Sequence, residues 1–387
     1  MWSIRPVIDW MLHKGRLLRE PQDLVGELCV RIRAQGMPLD RVGFFFWTLH
    51  PQYWGIAMFW DGEQVKVLQG TRELQRSDSY LGSPAARIRA GERVIRWRLD
   101  GDYPPGSGMV YDELKAAGMT DYVIVEVVFS NGVRNSVSLA TRRPGGFSDH
   151  DIGELQQLLH PFALAMENFT NRDLARTLLD TYLGRISGSR VLEGQVQRGD
   201  GEELDAVIWF SDLRDSTPLA TTLGGRGFLE LLNEYFEATA GAVLEHGGEV
   251  LRFIGDASLA VFPVGSASAR RAACATAVEA ARAARARAGV TNRRRKAGGQ
   301  PEFAFGIGLH IGRVLYGNIG TPERLEFSVI GAAANETARI EALSKTTGAD
   351  VVLSGAVVSE LGEDWPSLGR FELRGVGEPA EVFSLPA

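Results

Sequence analysis

The chain has 387 residues, a hydrophobic fraction of 44%, a charged fraction of 23% and a net charge of −6. This composition is typical of a soluble globular protein, and the length predicts two domains. No apolar run approaches the ~18 residues that a membrane-spanning helix needs, and the N-terminus lacks a signal-peptide pattern. The acidic balance argues against a dedicated nucleic-acid binder. Cys29 and Cys274 lie far apart in no metal-ligand spacing, so we expect no disulfide framework and a cytoplasmic location.

The first 170 residues predict an antiparallel sheet with flanking helices. The predicted elements, in chain order, are a helix or helix pair over Pro6–Gln35, a hairpin of Val42–Leu49 and Trp54–Trp60, an extension at Val65–Leu68, a loop at Asp100–Gly108, a short helix at Tyr111–Ala117, strands Tyr122–Phe129 and Ser136–Ala140, and a long helix from Asp151. The stretch GGFSDHDIGELQQLLHPFALAMEN opens that last helix behind a capping cluster.

This order of elements resembles a GAF-type sensory domain, which we place at residues 1–170. The resemblance covers roughly residues 8–170, with that stretch as its most typical part. It implies a regulatory domain that holds an unidentified small molecule or a protein partner. A partner-binding domain without a ligand explains the same pattern equally well. The aromatic run around Phe44–Trp47 would line a pocket in one case and fill a core in the other.

Residues 171–200 predict a helical linker, because an apolar stripe continues at helical spacing until the glycine-rich segment Gly194–Glu203. Residues 201–387 then predict a second α+β domain, in which strand, helix, two strands, helix and strand follow in the split order of ferredoxin-like folds. A helix over Ser266–Gly289 is predicted to end before a basic, solvated loop at Thr291–Gln300.

Two motifs in this second domain carry carboxylates at strand ends. WFSDLRDST, residues 209–217, leads from an apolar strand into Asp212, and EVLRFIGDASLAVF, residues 249–262, predicts a hairpin with Asp256 at its turn. Taken singly, the first aspartate is explained as a helix cap and the second as a turn residue. If the two strands are neighbours, however, the carboxylates meet and can hold two divalent ions for phosphoryl transfer.

Together with two later segments, these motifs resemble class III adenylate and guanylate cyclases. GIGLHIGRVLYGNIG, residues 306–320, is similar to the glycine-rich strand and turn of the family, and SVIGAAANETARIEAL, residues 328–343, is similar to its strand, loop and helix. The resemblance implies that Asp212, Asp256 and the backbone carbonyl of Leu213 bind two Mg²⁺ or Mn²⁺ ions.

The resemblance also implies the roles that surround the metals. Asn335 would orient the ribose, Arg339 would stabilise the transition state, and Arg313 would bind the β- and γ-phosphates. In this family the metal ligands come from one chain and the Asn/Arg pair from the other. A homodimer with composite sites is therefore implied, with the N-terminal domain as its regulator.

The resemblance further implies two positions that read the base, which are occupied here by Arg252 and Ser328. Arginine only donates hydrogen bonds, so it suits the acceptor N1 of adenine, and the serine can accept from the adenine amino group. We therefore expect ATP as the substrate. Arginine in place of the usual lysine, Asp215-Ser216-Thr217 before the helix, and the apolar Gly331–Ala334 loop depart from the family pattern. They leave two alternatives open, a non-catalytic signalling or dimerisation module and a guanylate cyclase.

Overall fold

The computed structural model describes residues 2–101, 109–362 and 364–386. They form two compact units, Met1–Leu178 and Leu179–Ala387. The predicted loop Asp100–Gly108 lies outside the described residues except for its first two positions. Within the described part of the chain, no helix is long and apolar enough to cross a membrane.

The first unit is built on a six-stranded antiparallel sheet in the order β3-β2-β1-β6-β5-β4. Its elements are α1 (Arg5–His13), α2 (Pro21–Ala34), β1 (Arg41–Trp47), β2 (Gly55–Trp60), β3 (Val65–Gly70), α3 (Arg72–Gln75), α4 (Asp78–Leu81), α5 (Pro84–Ala90), β4 (Val94–Arg98), α6 (Met109–Ala116), β5 (Asp121–Val128), β6 (Arg134–Thr141) and α7 (Asp149–Leu183). The predicted hairpin, the paired strands and the helices around them are all present.

Successive side chains of β1 point to opposite faces of the sheet, and each face of the sheet carries its own hydrophobic cluster. Phe44 and Phe46 are buried in the larger cluster, which also contains residues of α1, α2 and α7. Phe45 lies between them in sequence and packs against the smaller cluster of α5 and α6 on the opposite face. The sequence did not predict α3, α4, α5 and β4. Thr71, Ser77 and Ser83 cap the three short helices.

Helix α7 confirms the apolar stripe of the sequence and extends it. Ser148 and Asp151 cap its start reciprocally, and the side chains of Leu155, Leu158 and Phe162 are buried. The helix continues through Pro161 to Leu183, so the predicted linker 171–200 contains its last turns and a further helix, α8 (Arg185–Leu192).

The second unit contains an eight-stranded sheet in the order β13-β14-β12-β10-β7-β9-β8, with β11 paired to β10. After α8 its elements are β7 (Gly201–Leu213), α9 (Ser216–Glu245), β8 (Glu249–Ile254), β9 (Ala257–Val264), α10 (Arg270–Ala297), β10 (Phe305–Thr321), β11 (Arg324–Ile330), α11 (Ala332–Thr347), β12 (Val351–Ser354), α12 (Gly355–Leu361), β13 (Ser367–Phe371) and β14 (Ala380–Ser384). Helices α9 and α10 pack together, and their buried side chains share one cluster with β7, β9 and β10.

The basic loop predicted at Thr291–Gln300 is wrong, because α10 continues to Ala297. Arg295 within that run is buried, donates to the carbonyl oxygen of Pro301 at 2.6 Å and pairs with Glu234 of α9 at 2.7 Å. The counter-charge comes from another helix, so a local pattern of basic residues gave no sign of it. The sequence also predicts two separate strands, over residues 303–311 and near residues 314–319. The structure has one continuous strand there, β10.

A buried polar network ties α8 to the sheet of the second unit. The carboxylate of Glu249 accepts hydrogen bonds from the Ser187 backbone N–H at 2.9 Å, the Ser187 hydroxyl at 3.0 Å and the Tyr316 hydroxyl at 2.8 Å. Glu249 is 3% exposed and Ser187 fully buried. A buried carboxylate is stable only with such donors, so α8 is fixed to the strands that carry Glu249 and Tyr316.

We expect Tyr316→Phe to lower the free energy of unfolding by about 1–3 kcal/mol, because it leaves a buried carboxylate oxygen without its donor. Burial also raises the pKa of the Tyr316 phenol, which keeps that donor protonated at neutral pH. Urea denaturation measures the difference. Tyr182→Phe is the matched control, since that ring is 79% exposed and its change should be within about 0.5 kcal/mol. Equal midpoints for the two variants would show that the network does not hold α8.

Candidate active site

The structure brings the two predicted metal ligands together at one edge of the sheet. Asp212 lies near the end of β7 opposite Ala257 of β9, and Asp256 occupies the turn just before β9. The Leu213 N–H donates to the backbone carbonyl oxygen of Asp256 at 3.3 Å. Gly255 adopts a φ of 63° in this turn, a backbone conformation that favours glycine. The β8–β9 turn therefore places Asp256 beside the end of β7 that carries Asp212.

A lysine that the sequence analysis missed lies beside this edge. The Lys345 ammonium, near the C-terminal end of α11, is 3.1 Å from the carboxylate of Asp212. Arg214 and Glu341 pair close by at 3.1 Å, and burial raises the pKa of the Glu341 carboxyl. A cation next to Asp212 shows that this position favours positive charge. In the described part of the chain, no group of three or more His, Cys, Asp or Glu side chains is arranged around a metal position.

The two predicted base-reading residues also meet, on different strands. Arg252 of β8 donates through Nη2 to the Ser328 Oγ of β11 at 3.0 Å. Its other terminal nitrogen, Nη1, donates to the Glu326 carboxylate at 3.2 Å. The Arg252 Nε is buried and has no hydrogen-bond partner among the described residues. The sequence analysis did not select Glu326, although it lies two residues before Ser328 and therefore on the same face of β11.

Asn335, Arg339 and Arg313 are not brought to the two aspartates within this chain. Asn335 is exposed near the start of α11, and Arg339 is half-buried one turn later. Lys345, which contacts Asp212, is ten residues beyond Asn335, so about 15 Å of helix separates the asparagine from that contact. Arg313 on β10 is 73% exposed, with its guanidinium 3.7 Å from the Glu203 carboxylate.

Close packing fixes the helix that carries Asn335 and Arg339. A Cβ atom on Gly308 of β10 would lie 2.6 Å from the backbone nitrogen of Glu341, so only glycine permits this approach of α11 to the strand. Near the start of the helix, His310 lies 3.4 Å from Glu336 and 3.0 Å from the Ser354 hydroxyl. Burial lowers the pKa of His310, which favours its neutral form. These contacts hold α11 against the sheet.

Part of the chain matches the sequence model of a known catalytic domain. Residues 201–385, just under half of the chain, match the sequence model of the adenylate and guanylate cyclase catalytic domain. An uncharacterized protein of Mycobacterium tuberculosis is 33% identical over 241 residues, which are 61% of this chain and 42% of that protein. A second one from the same organism is 34% identical over 245 residues, or 62% of this chain and 40% of that protein. The chain thus spans about two fifths of the length of these curated relatives.

Among solved structures, the adenylyl cyclase CyaB from P. aeruginosa is 22% identical with a TM-score of 0.45, over 49% of this chain and 96% of that one. A guanylyl cyclase structure is 30% identical with a TM-score of 0.41, over 47% of this chain and 92% of that one. The match of sequence over residues 201–385 spans both aspartates, the Arg252–Ser328 pair and the helix with Asn335 and Arg339. Residues 201–385 therefore carry a catalytic domain of the adenylate and guanylate cyclase family.

Proposed function

We propose that this domain is an adenylate cyclase that converts ATP to 3′,5′-cyclic AMP and pyrophosphate in a homodimer. The observation that carries the proposal is the juxtaposition of Asp212 and Asp256 at one sheet edge, on the same chain as a joined Arg252–Ser328 pair. The two aspartates suit a triphosphate with its bound cations, and the Arg252–Ser328 pair suits a purine base.

The donor set at the aspartates fits Mg²⁺ or Mn²⁺. Carboxylate and carbonyl oxygens are the ligands that these hard cations prefer, and the Lys345 ammonium beside Asp212 shows that a positive charge is stable there. Asp212, Asp256 and the Leu213 carbonyl would hold two such ions. Bound there, the ions would lower the pKa of the ribose 3′-hydroxyl and neutralise charge around the α-phosphate.

The remaining groups act from a partner copy of the chain. Because about 15 Å of helix separates Asn335 from the contact of Lys345 with Asp212, one chain does not supply both halves of a site. In a homodimer, Asn335 orients the ribose and Arg339 places its guanidinium at the charge that develops as pyrophosphate leaves. Arg313, exposed on β10, binds the β- and γ-phosphates through its forked donors.

The base choice depends on the donors of Arg252. Two of its nitrogens are engaged by Ser328 and Glu326, while the buried Nε lacks a partner among the described residues. An unpaired buried donor is costly, and the acceptor N1 of adenine would satisfy it. Guanine presents a donor at that position, so two donors would face each other.

Glu326 favours a second candidate, a guanylate cyclase. Its carboxylate lies in the same group as Arg252 and Ser328, and a carboxylate accepts hydrogen bonds from the N1 and amino donors of guanine. In this structure the Glu326 carboxylate is engaged by Arg252 and its side chain is 44% exposed, so water competes with guanine for its remaining lone pairs. We therefore place ATP first.

We expect kcat/KM for ATP to exceed that for GTP by at least about tenfold, since one unmatched buried hydrogen bond corresponds to roughly 1.4 kcal/mol or more. Purified protein with Mn²⁺ and each nucleotide, followed by separation of the cyclic products, measures the ratio. Glu326→Gln should keep the preference for ATP. A preference for GTP that disappears in Glu326→Gln would instead establish the guanylate cyclase, and no product from either nucleotide would support a non-catalytic module.

The first unit supports regulation by a GAF-like domain. Its six-stranded antiparallel sheet, flanked by helices on both faces, has the element order on which that resemblance was based. Helix α7 continues from this unit to Leu183, directly before α8 with its Glu249 contacts. A change in the first unit would reach the catalytic domain along this continuous backbone. Cyclic nucleotide output of the full chain, compared with a chain that begins at Asp180, tests this regulation.

A further inference from the structure

The first unit contains a cavity of about 300 Å³ on the face of its sheet that carries Phe45. The strand register explains the space, because Ala57 lies between Phe45 and Leu68 on the neighbouring strands. The sheet positions that form the floor of the cavity carry small residues, namely Gly55, Ala57, Gly70, Ser138 and Ala140. Small side chains in the middle of a sheet leave volume that the surrounding helices do not fill.

Aromatic rings form the walls. Trp47 and Trp54 stack with ring centroids 4.0 Å apart, and Tyr80 meets Trp54 edge-on at 4.9 Å. Phe59 and Tyr122 line the cavity from the strands. Flat aromatic walls favour flat molecules, because rings gain most from stacked or edge-on contact.

The cover of the cavity is apolar but incompletely packed. Helices α3 and α4 have no buried residues. Leu74 of α3 and Leu68 of β3 line the cavity, yet they are 46% and 58% exposed. Apolar side chains left open around a concave space are typical of ligand pockets, and a bound apolar molecule would bury them.

The charges at the cavity neutralise each other. Arg41 and Glu113, both in its lining, form a salt bridge at 2.9 Å. The polar groups that remain include the Ser138 and Tyr80 hydroxyls, and burial raises the pKa of Tyr80 to about 12, so its phenol stays a donor at neutral pH. A charged ligand would lose its hydration here without gaining a free counter-charge from the lining, and the nearby Arg89 guanidinium is engaged over the Trp47 ring.

We propose that this cavity is a binding site for a flat, uncharged, mainly apolar ring molecule with one small polar substituent. The site is defined by Ala57 on its floor, by the Trp47, Trp54 and Tyr80 rings and by Leu74 at its rim. Its volume is at the lower end for small-molecule sites, which suits a compact ring system. The proposal concerns the first unit alone and stands whether or not the second unit makes a cyclic nucleotide.

N-phenyl-1-naphthylamine is a suitable probe, since it joins two flat aromatic ring systems through an uncharged amine and its fluorescence rises in apolar surroundings. We expect saturable binding of one probe molecule per full-length chain. Its sulfonated analogue, 8-anilinonaphthalene-1-sulfonate, should bind at least about tenfold more weakly because the added charge has no counter-ion.

Two variants locate the binding. Ala57→Leu fills the floor, and Leu74→Glu places a charge at the rim, so each should weaken probe binding by at least about tenfold. Leu81→Glu is the matched control, because Leu81 is an exposed leucine (59%, against 46% for Leu74) on the next short helix and does not line the cavity. It should bind within about twofold of the parent. Probe binding that is absent in the parent, unchanged in Ala57→Leu and Leu74→Glu, or equal for the sulfonate would overturn the proposal.

Discussion

Replacing Asp256 by asparagine is expected to reduce cyclic nucleotide production by at least about 100-fold, because metal-borne charge stabilisation contributes several kcal/mol to such a transition state. Asparagine keeps the size of the side chain and the backbone carbonyl that accepts from the Leu213 N–H. The hairpin should therefore fold as before, and the loss should follow from the missing negative charge.

Binding of Mn²⁺ gives a second readout that does not depend on turnover. A ligand that binds only the folded state raises the midpoint of thermal unfolding, so Mn²⁺ should stabilise the parent protein. Asp256→Asn should lose most of that shift. The matched control is Asp215→Asn, an exposed aspartate three residues after Asp212 whose φ of 53° asparagine tolerates well. The metal assignment would be refuted if Asp256→Asn kept both the activity and the Mn²⁺-induced rise of the unfolding midpoint. It would also be refuted if Asp215→Asn lost both to the same extent.

The positions of Asp212 and Asp256 at strand ends could be predicted from sequence because their determinants are local. An apolar run that ends in Asp212, and a Gly-Asp turn between two β-rich segments, specify strand ends and a hairpin within a few residues. Their adjacency was a condition of the metal hypothesis rather than a result of it, and the β7–β9 ladder fulfils that condition. Arg252 and Ser328 were selected through the resemblance to the cyclases, and the hydrogen bond between them is seen only in the structure.

The contacts that sequence reasoning missed are all non-local. Lys345 reaches Asp212 across 133 positions, and Arg295 is buried against Glu234 at a separation of 61. A run of basic residues predicts a solvated segment unless a counter-charge arrives from elsewhere, and here a second helix supplies it. Helices α3 and α4 were invisible for another reason, since they bury nothing and therefore show no apolar period.

Glycines in β10 illustrate an intermediate case. The run GIGLHIGRVLYGNIG was divided into two predicted strands, because glycine inside a strand usually weakens it. In the structure the strand is continuous over Phe305–Thr321, and Gly308 is needed where the backbone of α11 approaches. Gly308 is therefore required by the close packing of α11 and does not interrupt the strand. The sequence alone does not distinguish these two roles of a glycine, because the distinction depends on where α11 lies.

Arg339→Ala is expected to lower kcat by at least about 100-fold while changing the affinity for nucleotide much less, because the guanidinium acts on charge that develops in the transition state. The side chain lies beside the turn at Gly375 and is half-buried, so truncation should leave the fold intact. Ala338→Gly is not a suitable control, since it weakens the helix itself. Arg324→Ala, an exposed arginine on β11, serves instead and should retain activity.

Mixing the two inactive variants tests whether the sites are composite. Asp256→Asn lacks the metal half and Arg339→Ala the transition-state half, so each homodimer has two damaged sites. If each site combines halves from two chains, a mixed dimer contains one intact site and one doubly damaged site. Random exchange of equal amounts makes half of the dimers mixed, so activity should return to about a quarter of that of the parent.

If one chain supplied both halves, every site in the mixture would carry one of the two substitutions and activity would stay at the level of the separate variants. The 15 Å or so of α11 between Asn335 and the contact with Asp212 leads us to expect recovery.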